Sequence, residues 1–165
     1  MRGFTLWVIG PSSSDNDALA RTVEGDLLER GMRVEVLDAA ATSSVVAGAE
    51  GAAFIAALLT RNDVVCVCSY PVPANAVREE NRKKIGRYVE VLVKNPESAD
   101  DASFEEPEKP EVVCDLAEIG EEEALVQILK TLEILGFIPP SDLDDEYSEE
   151  DEDKIRQRLQ DLGYI

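Results

Sequence analysis

Strand-like and helix-like stretches alternate about five times along this chain, and no other feature limits its fold as much. Residues 4–9 are rich in β-branched and aromatic side chains, as a strand requires, and give way at Gly10 to a helix over about residues 15–30. In that helix Leu19, Val23 and Leu27 stand at i, i+4 and i+8, Ala20 and Leu28 widen the stripe, and Gly31 marks the stop. Residues 33–37 alternate Val34 and Val36 with charged neighbours, a short strand. After an Ala-, Gly- and Ser-rich stretch, residues 50–60 read as a helix carrying Phe54, Ile55, Leu58 and Leu59. Residues 63–69 are a nearly continuous apolar run, as expected of a central parallel strand covered on both faces. A polar, basic helix over 75–85, a strand over 88–93, an acidic Pro-containing loop over 94–110, a strand over 111–116 and a helix over 121–135 complete the order. The expected fold is a three-layer α/β/α domain over residues 1–138 with a mainly parallel sheet of about five strands.

The end of the chain differs in kind. Pro139 and Pro140 stop the preceding helix, residues 141–153 are almost wholly acidic, and Ile155, Leu159 and Leu162 then resume helical spacing. Residues 139–165 are therefore expected to be an acidic extension ending in a short helix. Leu135-Gly136-Phe137-Ile138 and Leu162-Gly163-Tyr164-Ile165 echo each other, suggesting a shared docking device or an interaction tag.

Composition removes several functions. With 35 acidic and 16 basic side chains the formal charge is −19, so nucleic acid and anionic membranes are not expected partners. There is no His, which takes away the commonest general base and metal ligand. Cys66, Cys68 and Cys114 lie in apolar runs without zinc-type spacing and read as buried, reduced thiols of a soluble cytoplasmic protein. Asp142, Asp144, Glu146 and Asp153 have spacing reminiscent of a calcium loop, but Tyr147 stands where such a loop needs glycine. No metal and no cofactor is expected.

The turn between the first strand and helix reads Gly10-Pro11-Ser12-Ser13-Ser14-Asp15-Asn16-Asp17, at the place of a phosphate-binding loop. That loop would be G-x-x-x-x-G-K-[ST]; only Gly10 matches, and Asp15, Asn16 and Asp17 replace the glycine, lysine and hydroxyl residue. Two carboxylates stand where phosphates would sit, reversing the electrostatics. Their simpler use is to cap the helix, at roughly 0.5 to 2 kcal/mol each. Asp38 closes a strand at the edge where open α/β sheets bind ligands, though a turn or cap role also fits. Arg78, Arg82, Lys83, Lys84 and Arg87 form the one concentrated positive feature. They suit an anion or an acidic partner, or else a solvated helix face partly neutralised by Glu79 and Glu80.

The order of segments resembles that of adenylyl-sulfate kinases. Gly3-Phe4-Thr5-Leu6-Trp7 with Gly10, the run Leu-Leu-Glu-Arg-Gly-Met-Arg-Val-Glu-Val-Leu-Asp at 27–38, and Leu58-Leu59-Thr60-Arg61-Asn62 carry the likeness. Ile85-Gly86-Arg87-Tyr88-Val89-Glu90-Val91 and Pro110-Glu111-Val112-Val113 continue it. The resemblance implies a P-loop kinase fold over about residues 2–138 and an activity phosphorylating adenylyl sulfate with ATP. Departures fall on the chemistry. Of the family's L-D-G-D only Leu37 and Asp38 remain, no Arg occurs from 38 to 60, S-P-Y-R becomes Tyr70-Pro71-Val72-Pro73, and the basic lid is replaced by the acidic loop. Phosphoryl transfer depends on positive charge around the γ-phosphate.

The expectation at this point is a non-enzyme, an adenylyl-sulfate-kinase-like scaffold or regulatory module linked to sulfate assimilation. The degenerate loop Gly10, Ser12, Ser13, Ser14, Asp15, Asn16 and Asp17 is expected to be non-functional. A protein partner would dock on Tyr147, Ile155, Leu159, Leu162 and Tyr164, and a homodimer is left open. The alternatives are a non-catalytic nucleotide or sulfonucleotide sensor and a residual ATP-dependent adenylyl-sulfate kinase.

Overall fold

The computed structural model describes residues 1–42, 44, 48–141 and 148–165. Asp142, Asp144, Glu146 and Tyr147 lie outside the described residues. The elements in order are β1 (Thr5–Ile9), α1 (Ser13–Glu29), β2 (Val34–Leu37), α2 (Ala39–Thr42), α3 (Gly48–Arg61), β3 (Val65–Cys68), α4 (Asn75–Ile85), β4 (Tyr88–Lys94), β5 (Val112–Asp115), α5 (Leu116–Ile134) and α6 (Glu149–Asp161). The five strands form one parallel sheet ordered β2-β3-β1-β4-β5.

The central strand shows why three layers form. β1 is buried along its whole length, and its side chains alternate between faces. Leu6 and Val8 join Val67, Val91, Leu19, Val23, Ile128 and Leu132 in a core beneath α1 and α5. Trp7 and Ile9 point the other way, into a second core with Cys66, Cys68, Leu92 and the alanines of α3. Such runs read as uniformly apolar because both faces are covered. All three cysteines are buried and unpaired. Burial pushes the Cys66 and Cys114 thiols up to about 12.

Two helices depart from the sequence expectation. In α3 the buried residues are Ala52, Ala53, Ala56, Ala57 and Thr60, while Phe54 is 62% and Leu58 40% exposed. The small side chains face the core that holds Trp7, and Ile55 and Leu59, as expected, pack at its margin. In α5 a short helical turn from Leu116, capped by the Asp115 carboxylate on the Ala117 N–H, precedes the expected helix from residue 121 and is set off from it by a break at Gly120, whose φ of 75° no right-handed helix accommodates.

The terminal helix also starts earlier than expected. Ser148 caps α6 through the Asp151 N–H, and four acidic residues follow in its first turn, a placement the helix dipole favours. α6 packs on α5 and Leu159 is fully buried. Arg158 donates to the Pro110 carbonyl at 3.1 Å and Lys130 meets Glu152 at 3.3 Å. The two Leu-Gly-aromatic-Ile echoes are one C-cap geometry used twice. The Phe137 N–H donates to the Leu132 carbonyl and the Tyr164 N–H to the Leu159 carbonyl, with Gly136 and Gly163 at φ 69° and 83° between them. Among the described residues no helix is long and apolar enough to cross a membrane.

Leu159→Ala is expected to lower the free energy of unfolding by about 2–5 kcal/mol, the usual cost of emptying a buried leucine site. Urea denaturation followed by Trp7 fluorescence measures it; an unchanged midpoint would mean that α6 unfolds apart from the sheet.

Candidate functional site

The C-terminal ends of β1, β2, β3 and β4 lie along one edge of the parallel sheet, the edge outside which open α/β sheets form their ligand crevice. Gly10 is obligatory there: a Cβ would lie 2.3 Å from the Val93 carbonyl oxygen and 2.9 Å from Asn16 Oδ1. The chain then turns into α1. The Ser12 hydroxyl accepts from the Asp15 N–H at 3.3 Å and caps the helix. Asn16, only 5% exposed, donates Nδ2 to the Gly10 carbonyl at 3.0 Å. The loop is thus held together by its own groups.

The carboxylates do not cap α1, contrary to the sequence reading. Asp17 accepts from the Ser69 hydroxyl at 2.6 Å, which ties the start of α1 to the end of β3. Asp15 accepts from Asn95 Nδ2 at 3.1 Å and from the Ser98 hydroxyl, both on the segment leaving β4. That segment crosses the loop. The N–H groups of Asp100 and Asp101 donate to the Pro11 carbonyl at 2.8 and 2.9 Å, and Ser13 donates to Asp100 at 3.4 Å. Ser12, Ser13, Asp15 and the Asn16 amide nitrogen therefore have partners within the chain, Asn16 Oδ1 is buried without one, and the acidic loop occupies the approach to them.

Asp38 is buried at the end of β2 and has a cationic neighbour that sequence reasoning missed: Arg21 donates to its Oδ2 at 2.5 Å. Hydrogen bonds from Arg21 to Glu24 and then to Asp38 raise the guanidinium pKa. A signal existed, since Arg21 stands four residues after Asp17 and so on the crevice-facing side of α1.

The expected basic patch is dispersed. Arg78 is 2% exposed and donates to the carbonyls of Val72, Pro73 and Glu105 and to Asn75 Oδ1, with Phe104 stacked at 5.1 Å. Arg87 donates to the Gly3 carbonyl and stacks on Phe137 at 4.1 Å. Arg82 pairs with Glu111 and lies 4.8 Å over the Tyr88 ring. Lys83 and Lys84 are exposed. The guanidiniums of Arg78, Arg82 and Arg87 thus go to the chain's own carbonyls and carboxylates, as burial of charge demands.

The terminal residues join the same network. The Tyr164 hydroxyl donates to Glu111, and Arg82 donates to that hydroxyl at 3.0 Å. Leu159 is buried, and Ile155 and Leu162 are half-buried. Of the residues expected to hold a partner, Leu159 is buried in this domain and the Tyr164 hydroxyl is tied to Glu111 and Arg82, while Tyr164 stays 41% exposed. Behind them Glu111 accepts the Glu90 N–H at 2.6 Å, and the Tyr88 hydroxyl donates to Glu90 at 3.0 Å. Burial raises the Glu90 carboxyl pKa against the opposing charge of Arg82, and raises Tyr88 well above the usual phenol value. Charged residues inside apolar strand segments, Glu90 and Glu111, were the overlooked sign of this network. Among the described residues no group of three or more potential ligands gathers to hold a metal.

A parallel sheet in this strand order, with a loop after β1 leading straight into a helix at the crevice, defines a P-loop-kinase-like α/β fold. Comparison with known proteins narrows the kinship. No family model matches the chain. A probable adenylyl-sulfate kinase of Pyrococcus abyssi is 29% identical over 174 residues, covering 84% of this chain and 100% of that protein. An adenylyl-sulfate kinase of Picosynechococcus sp. is 29% identical over 176 residues, covering 84% and 98%. The structure described as a hexameric APS kinase from Thiobacillus denitrificans superposes with a TM-score of 0.71 at 27% identity, covering 85% of this chain and 30% of that longer one. The chain is similar to adenylyl-sulfate kinases over most of its length, as the resemblance of its segments implied. The expectation of a non-enzyme is corrected by the same findings, because relatives aligned over 84% of this chain and nearly all of their own length are named as adenylyl-sulfate kinases.

Glu90 generates a pH dependence of known sign. A carboxyl whose pKa is higher folded than unfolded binds more protons in the folded state, so its contribution to stability is full below the unfolded value and is lost as pH rises through the folded one. The window therefore opens near the ordinary 4.5 and extends upward. Glu90→Gln is expected to remove that decline, seen as a flatter curve of unfolding free energy against pH above 4.5. Parallel curves for the two proteins would show that Glu90 does not titrate there.

Proposed function

We propose that the chain is a slow ATP-dependent kinase of the adenylyl-sulfate type, acting in sulfate assimilation, with its reaction crevice at the C-terminal edge of β1–β4. One observation carries this reading: relatives named for that activity align with nearly all of their own length. The fold supports it by keeping the turn after β1 at the crevice, and Asp38 stays at the end of β2 with Arg21 against it. The acceptor nucleotide would lie between Asp38 and the Asp17–Ser69 pair, and the phosphates of ATP would approach the start of α1.

The low rate follows from the loop. Asn16 occupies the position where a lysine would reach the β and γ oxygens, and Asp15 adds a negative charge beside them. Single preorganised donors at a transferring group are worth about 10² to 10³ in rate. Turnover therefore rests on backbone N–H groups and on the magnesium that ATP brings with it.

The test is product formation. Purified protein incubated with Mg-ATP and adenylyl sulfate is expected to yield the 3′-phosphorylated nucleotide slowly. The Asp15→Gly/Asn16→Lys double variant is expected to raise kcat/KM by about 10²-fold or more. Absence of product from both proteins, with or without nucleotide binding in calorimetry, would overturn the reading.

A further inference from the structure

We propose that residues 95–106 act as a strap that closes the phosphate crevice, and that a nucleoside polyphosphate enters only after the strap has swung off the loop; this rests on the kinase reading above. The segment is fastened at two ends of different strength. At its far end Arg78, almost fully buried, donates to the Glu105 carbonyl and stacks against Phe104, while the Glu105 N–H donates to the Pro73 carbonyl. Glu105 also accepts the Asn75 N–H at 2.8 Å, and Glu106 pairs with Lys94 at 2.7 Å. This end is knit into the start of α4 and the end of β4.

The near end is held by polar contacts with the loop. Asn95 and Ser98 hold Asp15, Ser13 reaches Asp100, and two consecutive N–H groups share the Pro11 carbonyl. No apolar residue occurs between Pro96 and Phe104 except Ala99 and Ala102. Contacts of this kind open at little cost compared with the cores beneath. Residues 97–103 can therefore lift about a hinge at Phe104 while the sheet stays intact.

Strap and polyphosphate exclude each other for two reasons. The strap crosses Pro11 and contacts Ser13 and Asp15, the part of the loop that phosphates would face. It also carries Glu97, Asp100 and Asp101, whose charges repel a polyphosphate at contact distance. A closed strap lowers apparent affinity by the fraction of molecules that are open. The acidic segment is thus a reversible intramolecular occupant of the crevice.

The Asn95→Ala/Ser98→Ala variant removes two contacts to Asp15 without altering charge, so it separates latching from repulsion. Amide hydrogen exchange of the unaltered protein should show Asp100 and Asp101 protected, and the variant should exchange both faster by roughly tenfold. Mg-ATP should bind the variant tighter by a comparable factor in calorimetry. Unprotected amides in the unaltered protein would overturn the strap, as would faster exchange in the variant with no gain in nucleotide affinity. The kinase reading fails on a different observable, the absence of phosphorylated product, whatever the amides do.

Discussion

The approach of Gly10 to the Val93 carbonyl sets the geometry of everything above the sheet. With β1 and β4 paired in register from Thr5–Tyr88 to Ile9–Leu92, the first residue beyond β1 passes directly over the end of β4. A side chain at Gly10 would collide with that carbonyl at 2.3 Å. Because the turn lies so close, Asn16 can reach back to the Gly10 carbonyl, and α1 begins almost at once. The same closeness brings the chain leaving β4 over the loop. Asp15 and Pro11 meet Asn95, Ser98, Asp100 and Asp101 because the two strand ends are neighbours.

Below that edge the fold owes nothing to the loop's chemistry. β1 feeds two cores by alternation, and Val65, Val67, Val89 and Val91 extend one while Cys66, Cys68, Tyr88 and Leu92 extend the other. Burial at roughly 25 cal/mol per Å² of apolar surface favours this arrangement whichever residues line the turn. At the start of α1 the Asp15 and Asn16 N–H groups are met by Ser12, Asn16 Nδ2 by Gly10 and the Asp15 carboxylate by the strap, so most of the turn's polar groups are held from within the chain. A chain can therefore keep the architecture of a nucleotide kinase while replacing the residues of its phosphate loop.

That separation explains how much could be read from the sequence. The alternation of elements, the buried parallel run at 65–68, the helix at 75–85 and the parallel sheet were legible because periodicity and β-branching report burial, which is local along a strand or helix. The α3 face was misread in part because hydrophobicity ranks Phe54 and Leu58 above alanine, whereas the core around Trp7 takes Ala52, Ala53, Ala56 and Ala57, with Ile55 and Leu59 packed at its margin. The basic helix looked like a surface patch because spacing does not say that Arg78 and Arg82 turn inward to carbonyls and carboxylates up to 29 positions away. Asp15 and Asp17 looked like caps because their partners, residues 95–98 and Ser69, come from other strands. The non-enzyme expectation weighed the departures at the loop, at Leu37–Asp38, at Tyr70–Pro73 and at the lid above the likeness of the remaining segments, which extends over 84% of the chain.

The distribution of charge gives these particulars a common cause. The chain carries −19, yet four of its arginines are engaged within the fold and are not placed to greet an anion. Arg78 holds the end of the strap, Arg82 neutralises Glu111 beneath the terminal helix, Arg87 braces Gly3 and Phe137, and Arg21 meets Asp38. Each holds two elements together at a point where burial would make an unpaired carboxylate or carbonyl costly. Burial by itself would lower the Arg82 pKa, but its hydrogen bond and charge interaction with Glu111 outweigh that and keep the guanidinium firmly protonated. Positive charge that could have lined the crevice instead fastens the segments around it, so what reaches the loop is governed by those fastenings as much as by the loop itself.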